Sequence, residues 1–373
     1  MSQDERIPAV LTASVADVRY LASLLRGVHF SNMASVTLSR SGLTITVEEA
    51  RTLVGYAFIF AQVFDEFELH ASKPNNPKPN RPRRATNGDA VSDSGSTEPE
   101  SDEEEPDAPT VEAAFQINLN ILIDCLNIFG TAGPLPAPST AANNFKRWKR
   151  DGEGDDDGVH GEDGRANGGR GRIDAYLAGG DGKRTSMRMS YEGDGYPLTL
   201  LIAEDANGPT TTCEITTYQV EPHIDLEFDS ETVVLRIIFK SSWLRDALSE
   251  LDPSCEKLTF IANPSVDGPQ RPRLNTQPML RIQADGTHGS TEMDFPNDKE
   301  VLETFDCTQR VSFSYRFSHI VRTLRALSSS TKTSLRIDES GLLSLQFLMP
   351  KPQSTGADGS DGFVEFRCLA LDE

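Results

Sequence analysis

Two long stretches of this chain lack core-forming residues, and they constrain the fold more than any other feature. The first covers about residues 72–110 and is rich in proline, serine and acidic residues, and the second covers about residues 131–183 and is rich in glycine and charge. Such segments cannot bury enough apolar surface to offset the entropy lost on ordering. We therefore predict two disordered insertions looped out of a folded domain, since closing a long loop costs little extra.

The formal net charge of −21 at first disfavours a nucleic-acid partner, because phosphates repel an acidic surface. Much of this charge lies in the insertions, in the acidic blocks 102–105 and 155–157, so the folded remainder is less acidic. The five cysteines are scattered singly, which disfavours a zinc cluster and favours a reducing compartment. No apolar run approaches the ~20 residues that span a bilayer. We expect a soluble intracellular protein with no membrane partner.

Outside the insertions, helical periodicity alternates with strand patterns. We predict helices over residues 15–28, 119–130, 242–251 and 315–327. We predict strands at 36–38, 43–47, 186–191, 198–204, 334–338 and 341–349. The same order of elements occurs near both ends of the chain: a helix, a strand, a Ser-Gly-Leu turn and a second strand. The two turns are Ser41-Gly42-Leu43 and Ser340-Gly341-Leu342. This weak repeat suggests duplicated α+β units.

The fourth predicted helix segregates its charges. No acidic residue occurs between residues 309 and 337, although six basic residues lie there. A helical projection places Phe317, Ile320, Val321, Leu324 and Leu327 on one face and Arg316, His319, Arg322 and Arg325 on the other. In an acidic chain, such a basic face indicates an anionic partner, with a solvated surface as the alternative. No motif that reads base sequence is present, so we expect non-specific, salt-dependent contact with the DNA backbone.

Several segments resemble a known family. VRYLASLLRGVHF, FQINLNILIDCLNIFG, YEGDGYPLTLLIAED, LRDALSELD and SLRIDESGLLSLQF occur in the order found in the Rad-one-type subunits of the nine-one-one checkpoint clamp. The resemblance covers most of the chain outside the insertions. It implies an α+β, PCNA-like DNA clamp with two similar domains, each with two helices packed on antiparallel sheets.

The same resemblance implies a domain plan and a set of partners. The first domain would cover residues 1–213 with both insertions, the interdomain connector 214–229, and the second domain 230–373. The chain would be a non-catalytic subunit of a nuclear ring around double-stranded DNA, assembled with two paralogous clamp subunits by a clamp loader. It would recruit checkpoint and repair client proteins and need no cofactor or metal.

The resemblance also implies roles for individual residues. Helices would line the hole and place basic side chains toward DNA, namely Arg19, Arg26, Lys240, Arg245, Arg316, Arg322 and Arg325. A subunit-interface edge strand would contain Leu198, Leu200 and Ile202. The connector would contain Glu221, Pro222, Ile224 and Leu226.

Two alternatives remain open from the residues alone. Asp225 and Glu227 could approach one metal from the same face of a strand, as a DNA 3'-5' exonuclease would require, and residues 65–68 offer a second acidic cluster. Solvated acids are the simpler interpretation in so acidic a chain. A protein-binding scaffold is the other alternative, since the insertions contain an acidic stretch at Ser101 and a basic stretch at 73–84. No phosphate-binding loop or nucleophile elbow supports another enzyme class.

Overall fold

The computed structural model describes residues 9–70, 111, 113–130, 184–204, 208–264, 278–296, 298–351 and 361–372. Both predicted insertions, 72–110 and 131–183, lie outside these residues. None of the described helices combines the length and the apolar character that crossing a lipid bilayer requires.

The described residues form eighteen strands and five α-helices. The helices are α1 (Val18–Gly27), α2 (Leu119–Leu126), α3 (Ser241–Ser249), α4 (Phe317–Arg322) and α5 (Leu324–Ser329). The first nine strands are β1 (Leu11–Val15), β2 (Met33–Ser39), β3 (Gly42–Glu49), β4 (Leu53–Phe60), β5 (Glu66–Leu69), β6 (Ala113–Asn118), β7 (Ser186–Tyr191), β8 (Leu198–Ala203) and β9 (Thr210–Ile215). The last nine are β10 (Val233–Lys240), β11 (Cys255–Ala262), β12 (Leu280–Gly286), β13 (Gly289–Phe295), β14 (Leu302–Cys307), β15 (Val311–Arg316), β16 (Lys332–Asp338), β17 (Leu343–Met349) and β18 (Gly362–Cys368).

The two halves repeat one plan. Each runs strand, helix, five strands, helix, three strands, with the last helix of the second half divided into α4 and α5. The sheet order β5-β1-β7-β8-β9 recurs as β14-β10-β16-β17-β18, and β4-β3-β2-β6 recurs as β13-β12-β11-β15. The second half therefore duplicates the first strand by strand.

The duplicated halves share one large sheet. β18 pairs antiparallel with β4, which joins five strands of the second half to four of the first in a nine-stranded sheet. The counterparts of these two strands, β9 and β13, each lie at the end of a sheet. Within the described residues, the two strands of this internal joint therefore each have one counterpart, β9 and β13, with no partner strand beyond it.

The helices lie on one face of the nine-stranded sheet. α2 contacts β6, α1 contacts β4 and β18, α5 contacts β17 and α3 contacts β10, so the helices follow one another in the order α2, α1, α5, α3. The approach is close, because a β-carbon added at Gly27 in α1 would lie 3.3 Å from Val364 and 3.4 Å from Ala326. Nearly all buried apolar side chains belong to one continuous cluster between helices and sheets.

Most predicted elements are confirmed, with shorter helices. Val15 ends β1 rather than beginning α1, whose N-cap is Asp17, and the second helix ends at Leu126. The proposed repeat of the two Ser-Gly-Leu turns is wrong, because β2–β3 corresponds to β11–β12 whereas β16–β17 corresponds to β7–β8. The turns resemble each other because both glycines adopt positive φ, 141° at Gly42 and 84° at Gly341.

The predicted edge strand is also wrong. Leu198, Leu200 and Ile202 lie in β8, which pairs with β7 on one side and β9 on the other, and all three side chains are buried. The edge position belongs to β9, which the sequence analysis assigned to the domain end and connector. Since β9 extends to Ile215, the connector begins two residues later than predicted.

Candidate functional site

The row of helices α2, α1, α5 and α3, together with the adjoining α4, is called the helix row here and carries all seven predicted basic residues. Arg19 and Arg26 lie in α1, Lys240 is the N-cap of α3, Arg245 lies in α3, Arg316 is the N-cap of α4, Arg322 ends α4 and Arg325 lies in α5. The exposed members of this set are Lys240, Arg316, Arg322 and Arg325. The fold thus collects basic residues from distant parts of the sequence on one side of the molecule.

Two of these charges are neutralised by neighbouring carboxylates on their own helices. Arg19 binds the Asp17 carboxylate, with its Nη2 2.5 Å from Oδ2 and its Nε 2.9 Å from both oxygens. Burial acts to raise the pKa of Asp17, but hydrogen bonds from the side chain and backbone of Arg19, together with its charge, outweigh burial and lower the pKa. Arg245 similarly pairs with Asp246 at 3.0 Å. Arg19 and Arg245 are therefore weaker DNA candidates than the sequence predicted.

Two arginines tie the halves together. Arg322 Nη2 lies 2.8 Å from Oε1 of Glu49 at the end of β3, and Arg325 Nη1 donates a 3.0 Å hydrogen bond to the backbone oxygen of His29. Both arginines come from the second half and both partners from the first. Both side chains remain exposed, but the Glu49 carboxylate offsets the charge of Arg322, whereas Arg325 bonds the neutral backbone oxygen of His29 and keeps its positive charge.

Arg316 and Lys240 are exposed and have no ion-pair partner among the residues that the structure describes. Arg26 is only half-buried, and burial lowers the pKa of its guanidinium. A cation that is not already paired can exchange solvent counterions for phosphate at little cost. Of the predicted set, Arg316 and Lys240 are therefore the residues whose charge is most available to an anionic partner.

The predicted faces of the fourth helix need two corrections. His319 is buried at 4% exposure and Val321 is 38% exposed. The helix breaks at Thr323, whose hydroxyl and backbone N–H both donate to the Ile320 oxygen, so one projection cannot describe α4 and α5 together. Burial, reinforced by the nearby Arg316, lowers the pKa of His319, which removes it from the basic face.

The connector crosses the opposite face of the nine-stranded sheet. Leu226 is buried against Val54 and Leu342, and the Ile224 N–H donates a 2.9 Å hydrogen bond to Glu48. The other two predicted connector residues, Glu221 and Pro222, are exposed. Residues 224–228 thus contact strands of both halves.

A buried charge network lies beneath the connector. Glu365, 2% exposed, contacts Arg336 and Arg367 at 3.2 Å each and accepts a 2.7 Å hydrogen bond from Ser344. Arg367 Nη1 donates to the backbone oxygen of Leu226 at 2.8 Å. A buried carboxylate with this many partners fixes the connector to the sheet. No motif identified these residues beforehand, because they come together only through strand pairing.

The carboxylates considered for metal binding do not converge. Asp225 and Glu227 are exposed on the connector, on either side of buried Leu226. Across the described ranges, no three His, Cys, Asp or Glu side chains form a group that could hold a metal ion. The geometry therefore offers the exonuclease hypothesis no assembled metal site in this part of the chain.

An aromatic patch beside the connector was missed by the sequence analysis. Phe58 stacks on Phe363 with ring centroids 4.4 Å apart, Phe60 lies 5.8 Å from Phe363, and Tyr56 lies 5.9 Å from Phe58. Leu348, paired with Phe363 across the strands, is 37% exposed. The alternation of Tyr56, Phe58 and Phe60 in one strand was the available signal.

Comparison with known proteins identifies relatives along the whole chain. The family described as repair protein Rad1/Rec1/Rad17 matches residues 10–349. The human cell cycle checkpoint protein RAD1 is 29% identical over 371 residues, which covers 100% of this chain and 95% of the human protein. The DNA repair exonuclease REC1 of Mycosarcoma maydis is 30% identical, covering 97% of this chain and 96% of that protein.

A solved structure shares the fold. The PCNA2–PCNA3 complex from Sulfolobus tokodaii contains a chain that superposes with a TM-score of 0.56 at 12% identity, covering 97% of this chain and 100% of that chain. The duplicated α+β architecture is therefore that of a PCNA-like clamp.

Proposed function

Because the chain belongs to the Rad1/Rec1/Rad17 family of repair proteins, we propose that it is a non-catalytic subunit of a heterotrimeric ring that encircles DNA in the damage checkpoint. Its two partners would be paralogous clamp subunits, and a clamp loader would open and close the ring. This role places the chain in the nucleus, where it would recruit checkpoint and repair proteins.

The observation that carries the proposal is the internal joint. β18 pairs with β4 inside the chain, while their counterparts β9 and β13 are left at sheet ends. An unpaired strand edge invites another strand, so β9 and β13 are suited to pairing with clamp-fold neighbours on either side. Repeating one head-to-tail joint around an axis closes a ring.

The helix row supports a DNA-facing role. The exposed basic residues of the predicted set, Lys240, Arg316, Arg322 and Arg325, lie on the helix side, whereas the connector and its acidic residues lie on the opposite face of the sheet. A ring is retained by its topology, so its inner surface needs only to offset phosphate repulsion. Weak contacts without base recognition would also allow sliding.

The outer face supports client binding. Tyr56, Phe58, Phe363 and Leu348 form a half-exposed apolar patch next to the connector, at the joint of the two halves. Aromatic side chains in such patches anchor protein partners. We assign client docking to this patch, because the space directly beneath residues 224–228 is filled by Leu226.

Topological retention tests the proposal. The assembled ring, loaded on a nicked circular DNA, should survive a high-salt wash that removes ordinary DNA-binding proteins. Cutting the circle should then release it, because the ring slides off the ends. Equal retention before and after cutting would contradict encirclement.

An exonuclease is the second candidate, since the similar Mycosarcoma maydis protein is named one. The proposed clamp role predicts no Mg²⁺- or Mn²⁺-dependent degradation of DNA by the purified chain. Degradation that disappears in an Asp225→Ala, Glu227→Ala variant would favour the exonuclease instead. Degradation that persists in that variant would indicate a contaminating nuclease or another site, and a second purification route would separate those two causes.

A further inference from the structure

Because the fold is duplicated, residues near the internal joint have structural counterparts near β9 or β13, the strands at the sheet ends. One of these counterparts is an exposed tryptophan. Tyr20 is the third residue of α1, and Trp243 is the third residue of α3. The helices start in the same register, because the N–H of the first residue donates to Thr185 in α1 and to Thr331 in α3, at 3.0 Å in both. Thr185 and Thr331 immediately precede the equivalent strands β7 and β16.

Burial along the two helices supports the same register. Leu21 and Leu244, the fourth residues, are 2% and 0% exposed, and Leu25 and Leu248, the eighth residues, are 1% and 2% exposed. The third residue alone breaks this pattern among the large apolar side chains. Tyr20 is 5% exposed, whereas Trp243 is 44% exposed.

The surroundings of Tyr20 explain the difference. Its hydroxyl donates to the oxygen of Met349 at 2.8 Å and accepts from the N–H of Gly362 at 2.6 Å. Met349 ends β17 and Gly362 begins β18, so Tyr20 is covered by the second half across the internal joint. Among the described residues no strand pair covers Trp243 in the way that β17 and β18 cover Tyr20, and Trp243 is exposed.

We propose that Trp243 is the anchor of the subunit joint at the β13 end of this chain, covered there by a neighbouring clamp-fold subunit. The inference rests on the proposed ring. The part of the neighbour that covers Trp243 is the segment corresponding to the end of β8 and the start of β9. These strands are the counterparts of β17 and β18, which cover Tyr20. The indole N–H would donate to a backbone oxygen of that segment, as the Tyr20 hydroxyl does to Met349.

The chemistry of tryptophan fits this role. A half-exposed indole offers a large apolar area and one donor, and such side chains dominate the energetics of protein interfaces once they are covered. Only one of the two neighbours would contact the β13 end, because joints of this kind are head-to-tail. Trp243 should therefore distinguish between the two paralogues.

The test uses the full chain labelled with 5-fluorotryptophan, in a Trp148→Phe background that leaves Trp243 as the only one of the two tryptophans. The ¹⁹F relaxation caused by a soluble gadolinium chelate reports exposure of the indole. In the complex with one unlabelled paralogue, and in the complete ring, the effect should fall severalfold relative to the free chain. The other paralogue should leave it unchanged.

A variant gives an independent readout. Trp243→Ala should weaken association with that one paralogue by about 30-fold or more, as for an interface anchor, without moving the thermal midpoint of the isolated chain. Val321→Ala, which truncates a 38% exposed apolar residue on α4, should leave association unchanged.

Two outcomes would overturn the inference while leaving the proposed ring intact. One is a complete ring in which Trp243 stays accessible to the chelate, and the other is a Trp243→Ala variant that assembles as well as the unmodified chain. Failure of the unmodified chain to form any complex would overturn the proposed ring as well.

Discussion

Arg322 and Glu49 are 273 residues apart in sequence, yet Arg322 Nη2 lies 2.8 Å from Glu49 Oε1. The pair joins the end of α4 to the end of β3 and so crosses the joint between the duplicated halves. An arginine predicted to face DNA is therefore also a structural tie. This double role separates Arg322 from Arg316, which has no ion-pair partner among the described residues.

The first prediction compares Arg316→Glu with Arg322→Glu. Both should weaken DNA retention by the ring. For each phosphate contact that is removed, the slope of the logarithm of the binding constant against the logarithm of the salt concentration should become shallower by about one. Only Arg322→Glu should also lower the unfolding free energy, by roughly 0.2–1 kcal/mol for the lost exposed pair, because it sets a second carboxylate beside Glu49. Equal stability losses in urea unfolding would contradict the distinction, and unchanged DNA retention in both variants would contradict the basic surface.

Tyr20→Phe tests the internal joint. The substitution removes the hydroxyl that bonds Met349 and Gly362 and leaves a buried N–H without a partner. We expect a loss of about 1–3 kcal/mol in unfolding free energy. Tyr196→Phe is the matched control, because Tyr196 is 52% exposed and should tolerate the change. Equal midpoints for both variants would show that the Tyr20 hydroxyl does not stabilise the joint.

Glu365→Ala tests the connector network. Removing the carboxylate leaves Arg336 and Arg367 without their buried partner, so we expect a loss of about 3–5 kcal/mol. Glu303→Ala breaks an exposed pair with Lys332 and should cost about 1 kcal/mol or less. Limited proteolysis should also cleave the connector faster in Glu365→Ala than in Glu303→Ala. Similar losses in the two variants would mean that the network contributes no more than a surface pair.

His319 predicts a pH dependence of stability. Burial lowers its pKa below the ordinary value of 6.5, so the unfolded chain binds a proton more readily than the folded one. Stability from this group is present above pH 6.5 and is lost as pH falls from there toward the folded pKa, with a slope of at most about 1.4 kcal/mol per pH unit.

Urea unfolding at about pH 7.5 and about pH 5.5, on either side of the ordinary histidine pKa, checks the His319 prediction. The wild-type chain should lose more stability on acidification than His319→Gln, which has no titrating ring. The same loss in both proteins would assign the acid sensitivity to other groups.

Local pattern was enough to predict most elements. β7 was predicted with its observed bounds, residues 186–191, because alternating apolar residues and a following Glu-Gly-Asp-Gly turn define it locally. The second helix was predicted four residues too long, since its apolar periodicity continues past Leu126, where the backbone turns. Periodicity does not record where tertiary contacts end a helix.

Features that depend on strand order could not be predicted. The residues of β8 do not indicate that β9 pairs with its outer side, so the sequence predicts an edge where the structure has an interior strand. Glu365 reads as an ordinary acidic residue until strand pairing sets Arg336 near it. His319 was placed on a polar face because a single helical projection cannot anticipate the break at Thr323.

We propose that this chain closes a ring with two different clamp-fold neighbours, and its native mass is the first quantity to measure. Light scattering should give the chain's own mass when it is alone, and the mass of a one-to-one-to-one trimer when its two paralogues are co-expressed. A chain that remains unassociated beside both paralogues, or that forms a ring from copies of itself, would contradict the account.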